Sequence, residues 1–195
     1  IGGSGRGKGF RVIYPNVTNC HGAYVITDAK GDTLRSIGNY MEQEGYHVRV
    51  LNLIDFTRSL HYNPFAYLQE EEDVSVLVDN IMANTKGSDR ISGDQFWEDG
   101  PKMLLVSIFD YVWFECSKSE QNWTSVFKYL DMVTVSDEKN EYERILDYLE
   151  TSSEFGSGHP AVKNYKIFKS GAQETMQSIL AILYARVQCL RLENV

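Results

Sequence analysis

The sequence has few cysteines and no long apolar run. Its three cysteines, Cys20, Cys116 and Cys189, lie far apart and form no CxxC pair. This spacing gives no disulfide framework and no zinc site, and it suits a reducing compartment. No apolar run reaches the roughly 18 residues that cross a membrane, so we expect the chain itself to be soluble.

Positive charge is also scarce, since the net charge is −8. An acidic chain is a poor general binder of nucleic acid, although a local patch or a ring of several subunits could still contact DNA. The four histidines share no metal-ligand spacing, and we therefore predict no metal site. The hydrophobic fraction of 43% is that of a folded globular chain.

A glycine-rich stretch, IGGSGRGKG, opens the chain. From Gly2 it matches the phosphate-loop pattern G-x-x-x-x-G-K-[ST] except at the last position, where Gly9 replaces Ser or Thr. The glycine lacks the hydroxyl that binds Mg²⁺, so we expect weakened metal binding. A flexible linker is the alternative interpretation. The predicted nucleotide contacts are Gly3, Ser4, Gly5, Arg6, Gly7, Lys8 and Gly9.

The residues after this loop predict a βαβ unit. Short apolar runs at 23–27 and 47–54 indicate strands buried on both faces, and residues 34–44 between them form an amphipathic helix that ends at Gly45. Ligands bind outside the carboxyl ends of parallel strands. Asp28 and Lys30 follow the first run and are possible residues at the edge of the site.

A phosphate loop also needs a preceding strand, and only Ile1 precedes the glycines, so we infer that the sequence is cut from a longer protein.

From about residue 68 the pattern becomes helical, with apolar faces in 70–85, 96–116, 123–133 and 141–150 and a long helix starting at Pro160. The predicted fold class is therefore mixed: a partial P-loop α/β (βαβ) segment followed by a mainly α-helical domain. The predicted domains are a partial nucleotide-binding domain at 1–67, an all-alpha domain at 68–170 and a returning helix at 171–195.

Three groups of side chains in the helical half have a structural and a functional interpretation. The acids at 70–73 fit a helix N-terminus, and docking to a basic partner is the alternative. The lysines Lys163, Lys166 and Lys169 are typical of a solvated face. The large aromatics favour core packing over a recognition surface; they are Phe96, Trp97, Trp113, Phe114 and Trp123.

The ordered set of motifs resembles one protein family. IGGSGRGKG, AYVITDAKGDTLRSIGNYMEQEGYHVRVLNLIDF and HYNPFAYL follow one another as in the TraG/TraD-like coupling proteins of conjugation and type IV secretion, and most closely the Gram-positive branch. The later segments FWEDGPKMLLVSIFDYVWFE, QNWTSV and AVKNYKIFKSGAQETMQSIL are similar to the helical insertion of that family. The resemblance covers nearly the whole chain.

This resemblance implies a homo-hexameric ATPase at the cytoplasmic face of the cell membrane. Such a protein uses ATP and Mg²⁺, contacts the secretion channel, meets DNA through the full hexamer, and receives a relaxase–DNA complex or a secreted protein substrate. Its all-alpha domain is associated with substrate recognition. The catalytic acid of the family comes later than this sequence, so we expect no hydrolysis by this chain alone. One alternative is a non-catalytic interaction module in which the loop is structural. A second alternative is a small kinase, and the missing lid and base signatures disfavour it.

Overall fold

The computed structural model describes residues 7–85 and 96–191. The chain divides into two compact units, Ile1–Leu60 and His61–Val195. Helices are the only regular elements in the described ranges, which contain no β-strand. The predicted domain boundaries at residues 67 and 170 stay predictions.

The first unit contains a short helical segment and one longer helix. A π-helical stretch, Gly9–Ile13, continues directly into α1 (Tyr14–Thr18), and α2 is Asp32–Gln43. Val17 of α1 and Met41 of α2 are the buried apolar side chains among the described residues of this unit. The core of this unit is therefore small.

The C-terminus of α2 confirms Gly45 as its stop. Gly45 has φ +86°, a left-handed conformation that a residue without Cβ adopts at little cost. The N–H of Tyr46 donates to the Met41 carbonyl at 3.0 Å, and the N–H of Gly45 donates to the Glu42 carbonyl at 3.1 Å. These two bonds satisfy carbonyls that would otherwise lack partners at the helix end.

The predicted βαβ unit is wrong. Residues 23–27 and 47–54 form no strand, and the side chains of Val25, Leu53 and Ile54 are largely exposed. The second run forms local hydrogen bonds instead: the carbonyl of Val50 accepts from the N–H of Leu60 at 2.9 Å. Parallel strands require neighbouring strands on their edges and helices over both faces. These two runs have no such cover in the described structure, so apolar sequence alone does not make them strands.

The second unit contains six α-helices among its described residues. A 3₁₀ turn, Pro64–Tyr67, leads into them. The helices are α3 (Glu71–Asn84), α4 (Phe96–Glu115), α5 (Trp123–Asp131), α6 (Glu141–Ser152), α7 (Pro160–Lys169) and α8 (Gln173–Val187). Their positions confirm the helical patterns predicted from the sequence.

Helix α4 is the centre of this unit and packs against α3, α5, α7 and α8. Phe109 of α4 stacks on Phe65 of the 3₁₀ turn with ring centroids 5.0 Å apart, and it meets the edge of Trp123 at 5.4 Å. The fully buried apolar residues of α4 are Leu104, Leu105, Ile108, Phe109 and Val112. Because several faces of α4 are covered, its apolar residues occur almost without interruption along the sequence.

Side-chain caps define where the later helices begin. The N–H of Ser125 donates to the Asn122 side chain at 3.0 Å, and the N–H of Glu143 donates to the Asn140 side chain at 2.8 Å. Pro160 occupies the first turn of α7, where its missing N–H costs no hydrogen bond. These contacts place a side-chain cap at Asn122 and confirm the predicted start at Pro160.

Candidate functional site

The described part of the predicted phosphate loop is Gly7, Lys8 and Gly9, while Gly3, Ser4, Gly5 and Arg6 lie outside the described residues. Gly7 has φ +72°, which favours glycine, and its carbonyl accepts from the N–H of Arg11 at 2.9 Å. The helical segment begins immediately after Lys8. A glycine turn leading into helical backbone is the local geometry that phosphate loops use.

Gly9 lies beside the ring of Tyr14. A Cβ at position 9 would lie 3.8 Å from the nearest Tyr14 ring carbon, which is an ordinary van der Waals distance. A Cβ at this position therefore meets ordinary van der Waals contacts. As it stands, Gly9 offers a magnesium ion no side-chain oxygen.

Tyr14 joins the helix after the loop to α2. Its hydroxyl lies 3.4 Å from the carbonyl of Asp32 and 3.2 Å from the hydroxyl of Ser36. The Tyr14 side chain, which a Cβ at position 9 would meet, therefore lies against the first turns of α2.

Asp28, predicted at the edge of the site, caps the N-terminus of α2. Its Oδ2 accepts from the N–H of Leu34 at 3.0 Å, and its carbonyl accepts from the N–H of Gly31 at 3.2 Å. The carbonyl of Lys30 accepts from Arg35 at 2.7 Å, while the Lys30 side chain is exposed. Asp28 and Tyr14 therefore meet the same end of α2, and one carboxylate oxygen of Asp28 has a structural role there.

A second polar cluster, which the sequence did not predict, crosses the interface between α4 and α7. Ser107 donates to the carbonyl of Ala161 at 2.8 Å, and its oxygen lies 3.0 Å from the hydroxyl of Tyr142. Asn164 donates to Oδ2 of Asp110 at 3.0 Å. We call this polar cluster the α4–α7 seam. The serine and the aspartate inside the apolar run MLLVSIFDYV were the available sequence signal for it.

His159 forms the third contact of the α4–α7 seam. Its side chain is fully buried, and its Nδ1 accepts from the N–H of Ala161 at 3.2 Å. Because Nδ1 accepts, the neutral ring carries its proton on Nε2, which lies 3.1 Å from Oε1 of Glu115. The histidine therefore caps α7 with one nitrogen and joins it to α4 with the other.

Tyrosines extend the seam towards α5 and α6. Tyr142 packs edge-on to Tyr111 at 5.9 Å and to Tyr165 at 5.5 Å. Burial raises the pKa of Tyr165 to about 12, although its hydrogen bond with Asn140 opposes the shift. Burial likewise raises the pKa of Tyr142 well above its usual value. These phenols stay protonated at neutral pH. Tyr142 donates to the Ser107 carbonyl at 3.0 Å, and Tyr165 accepts from the side-chain amide of Asn140 at 2.9 Å.

Three of the five aromatics predicted for the core lie in it or pack against it. Trp123 is buried, and Trp97 and Trp113 pack against the core cluster. Phe114 is half-buried and contacts His159 with ring centroids 5.4 Å apart. The side chain of Phe96 lies outside the described residues.

The sequence profile of one family matches the entire chain, residues 1–195, and its description is type IV secretory system conjugative DNA transfer. The chain belongs to this family. No curated protein and no solved structure matches it. Membership in the conjugative DNA transfer family confirms the resemblance stated above and places the chain in conjugation and type IV secretion.

Two kinds of feature are absent from the described residues. No described helix combines the length and the apolarity needed to cross a membrane. Within 7–85 and 96–191, no three His, Cys, Asp or Glu side chains converge in a way that could hold a metal ion.

The acids at 70–73 form a helix N-terminus, as predicted. Oδ2 of Asp73 accepts from the N–H groups of Gln69 at 2.8 Å and Glu70 at 3.1 Å, and the Glu70 side chain completes a capping box. The two backbone hydrogen bonds lower the pKa of Asp73. Glu71 and Glu72 remain exposed beside this box.

The predicted solvated face of lysines is confirmed at Lys163 and Lys166, which are exposed, while Lys169 is half-buried. Lys166 lies 2.7 Å from a carboxylate oxygen of Glu150, and Lys169 lies 2.5 Å from one of Glu143. Both carboxylates belong to α6, so the lysines join α7 to α6. The spacing of charges along one helix could not reveal acids on another.

Proposed function

We propose that this chain is the part of a conjugative coupling protein that begins at the nucleotide loop and includes the helical substrate domain. The loop binds ATP, and the helical unit recruits a relaxase–DNA complex or a secreted protein to the type IV secretion channel. Membership in the family over residues 1–195 is the observation that carries the proposal. The conformation of Gly7 and the helix that follows Lys8 support the nucleotide role.

The proposed nucleotide contacts are the loop residues 3–9. Backbone N–H groups of the glycine turn would surround the phosphates, and Lys8 would neutralise them. ATP bound here would supply the energy for transfer in a ring of six subunits. Asp28 shapes the nearby end of α2 rather than activating water, because its Oδ2 already accepts from Leu34.

Gly9 favours a second candidate, a non-catalytic interaction module whose loop is structural. The family pattern requires a hydroxyl at this position, and the glycine supplies none. In that case the helical unit alone would carry the function.

Nucleotide titration of the coupling protein separates the two candidates. We expect Gly9→Thr to strengthen binding of Mg²⁺–ATP, because threonine restores the hydroxyl ligand and its Cβ would lie at an ordinary distance, 3.8 Å, from the Tyr14 ring. Lys8→Ala should weaken binding at least tenfold, whereas Lys163→Ala, which removes an exposed cation of α7, should leave it unchanged. If neither the unchanged protein nor the Gly9→Thr protein binds ATP, the nucleotide role is rejected and the interaction module remains.

Recruitment is tested by capture of the purified relaxase. Replacing Glu71 and Glu72 with lysine reverses two exposed charges at the start of α3, and Asp137 and Glu138 provide a matched exposed pair in a loop. We expect the first pair of changes to reduce capture and the second to leave it unchanged. Equal capture by a protein that lacks residues 70–165 would contradict a recruitment role for the helical unit.

A further inference from the structure

Asp110 is a buried carboxyl group in the interface between α4 and α7. Only 1% of its surface is exposed, and Asn164 donates to its Oδ2 at 3.0 Å. Its other oxygen, Oδ1, is buried and has no hydrogen-bond partner. A buried oxygen without a partner is rare in folded proteins, and it calls for a physical explanation.

The groups around Asp110 do not compensate a negative charge. The Glu71 carboxylate of α3 repels a negative charge on Asp110, and the phenol of Tyr142 on α6 interacts with the same carboxyl group. From α7 it meets the neutral amide of Asn164. Helix α5 places Tyr129 against the neighbouring Tyr111 at 4.7 Å. The groups whose charges act on this carboxyl are Glu71 and Tyr142, and neither of them is a cation.

Protonation removes the charge from this arrangement. A neutral carboxyl loses far less hydration on burial than a carboxylate does, so the apolar interface favours the neutral form. Burial is the main cause that raises the pKa of Asp110 to about 7; the hydrogen bond from Asn164 opposes the shift, and the nearby charge of Glu71 adds to it. The folded unit thus holds a proton that an exposed aspartate would release.

We propose that Asp110 is a proton-dependent latch that keeps α7 packed on α4 while its carboxyl group is neutral and releases α7 locally when the carboxylate forms. The carboxylate gains hydration when water reaches Oδ1, and water reaches Oδ1 when the two helices separate, so ionisation favours the open form. The neighbouring contacts, Ser107 with Ala161 and Glu115 with His159, limit the opening to the middle of the interface. The latch would control how firmly the outer face of α7, with Lys163 and Ile167, is held.

Amide hydrogen exchange of residues 160–169 in the 195-residue chain tests the latch. After correction for the intrinsic exchange rate, the opening constant of α7 should rise about tenfold per pH unit from pH 5 to 7 and then level off, because the open form binds fewer protons. Asp110→Asn carries no charge at any pH, so its α7 should open independently of pH. Asp137→Asn, which changes an exposed loop aspartate, should behave like the unchanged chain.

A direct titration of Asp110 covers the case in which Asp110→Asn fails to fold. The carboxyl carbon of Asp110, followed by NMR in the unchanged chain, should titrate with a midpoint near pH 7. A midpoint below pH 5 would overturn the proposal. Protection of α7 that does not vary with pH, or that varies equally in the unchanged chain and in Asp110→Asn, would overturn it as well.

Discussion

The two units use apolar residues in different ways. In the second unit, five apolar residues of α4 are fully buried among Phe65, Trp123 and the neighbouring helices. In the first unit, the runs at 23–27 and 47–54 are also mainly apolar, yet Val25 and Ile54 are exposed. The same kind of residue therefore forms a core in one unit and solvent-facing segments in the other.

The difference follows from where the backbone hydrogen bonds of each element are made. A helix satisfies its own N–H and C=O groups and then needs only an apolar face to bury. A parallel strand satisfies none of its groups alone and depends on strands beside it. A helical unit can thus form from the residues of this chain, whereas apolar runs without neighbouring strands stay irregular.

The largest effect is expected from Phe109→Ala in the second unit. The ring is fully buried between Phe65 and Trp123, so its loss removes apolar contacts and leaves a cavity. We expect the free energy of unfolding to fall by about 3–5 kcal/mol in urea denaturation. Val25→Ala, the matched change at an exposed position of the first unit, should alter it by less than about 0.5 kcal/mol. Similar losses in both variants would contradict the comparison.

An intermediate effect is expected from Ser107→Ala in the α4–α7 seam. The change removes the bond to the Ala161 carbonyl and the contact with Tyr142, although Tyr142 keeps a bond to the Ser107 carbonyl at 3.0 Å. We expect a loss of about 1–2 kcal/mol in the same measurement. Ser178→Ala removes an exposed hydroxyl that bonds within α8, and it should be neutral or slightly stabilising. An equal loss in the two variants would show that the hydrogen bonds of the α4–α7 seam add nothing to the free energy of unfolding.

The helical unit could be predicted from sequence because its signals are local. Asn122 and Pro160 mark helix starts through contacts within a few residues, and the apolar period specifies the buried faces. The seam could not be predicted in the same way. Ser107 and Tyr142 are separated by 35 positions, and Asp110 and Asn164 by 54, so their pairing depends on tertiary packing.

The first unit shows the opposite limit. Gly45 was correctly predicted as the end of α2, again through local geometry. The strands were wrongly predicted because apolar runs indicate that burial is favourable without showing what would cover them. Family membership, by contrast, was predictable from the order of short motifs along the chain, and the match over residues 1–195 confirms it.

A smaller effect is expected from Asp28→Ala in the first unit. The carboxylate caps the Leu34 N–H, and loss of such a cap typically costs about 1 kcal/mol. Amide exchange in the first turn of α2 should accelerate roughly fivefold, the equivalent of that energy. Lys30→Ala, two residues away and with an exposed side chain, should leave α2 unchanged. If Asp28→Ala instead weakens nucleotide binding without changing α2, the residue belongs to the site edge predicted from sequence.

The smallest effect is expected from Leu53→Gln, and it tests the absence of the predicted strand directly. The Leu53 side chain is 71% exposed, so exchanging it for an amide of similar length removes little buried apolar surface. We expect the free energy of unfolding to change by less than about 0.5 kcal/mol. A leucine buried on a parallel strand would instead lose a transfer energy of about 2 kcal/mol and leave an amide without partners. A loss above about 2 kcal/mol in the 195-residue chain would show that residues 47–54 are covered in solution. The contrast between the two units would then disappear.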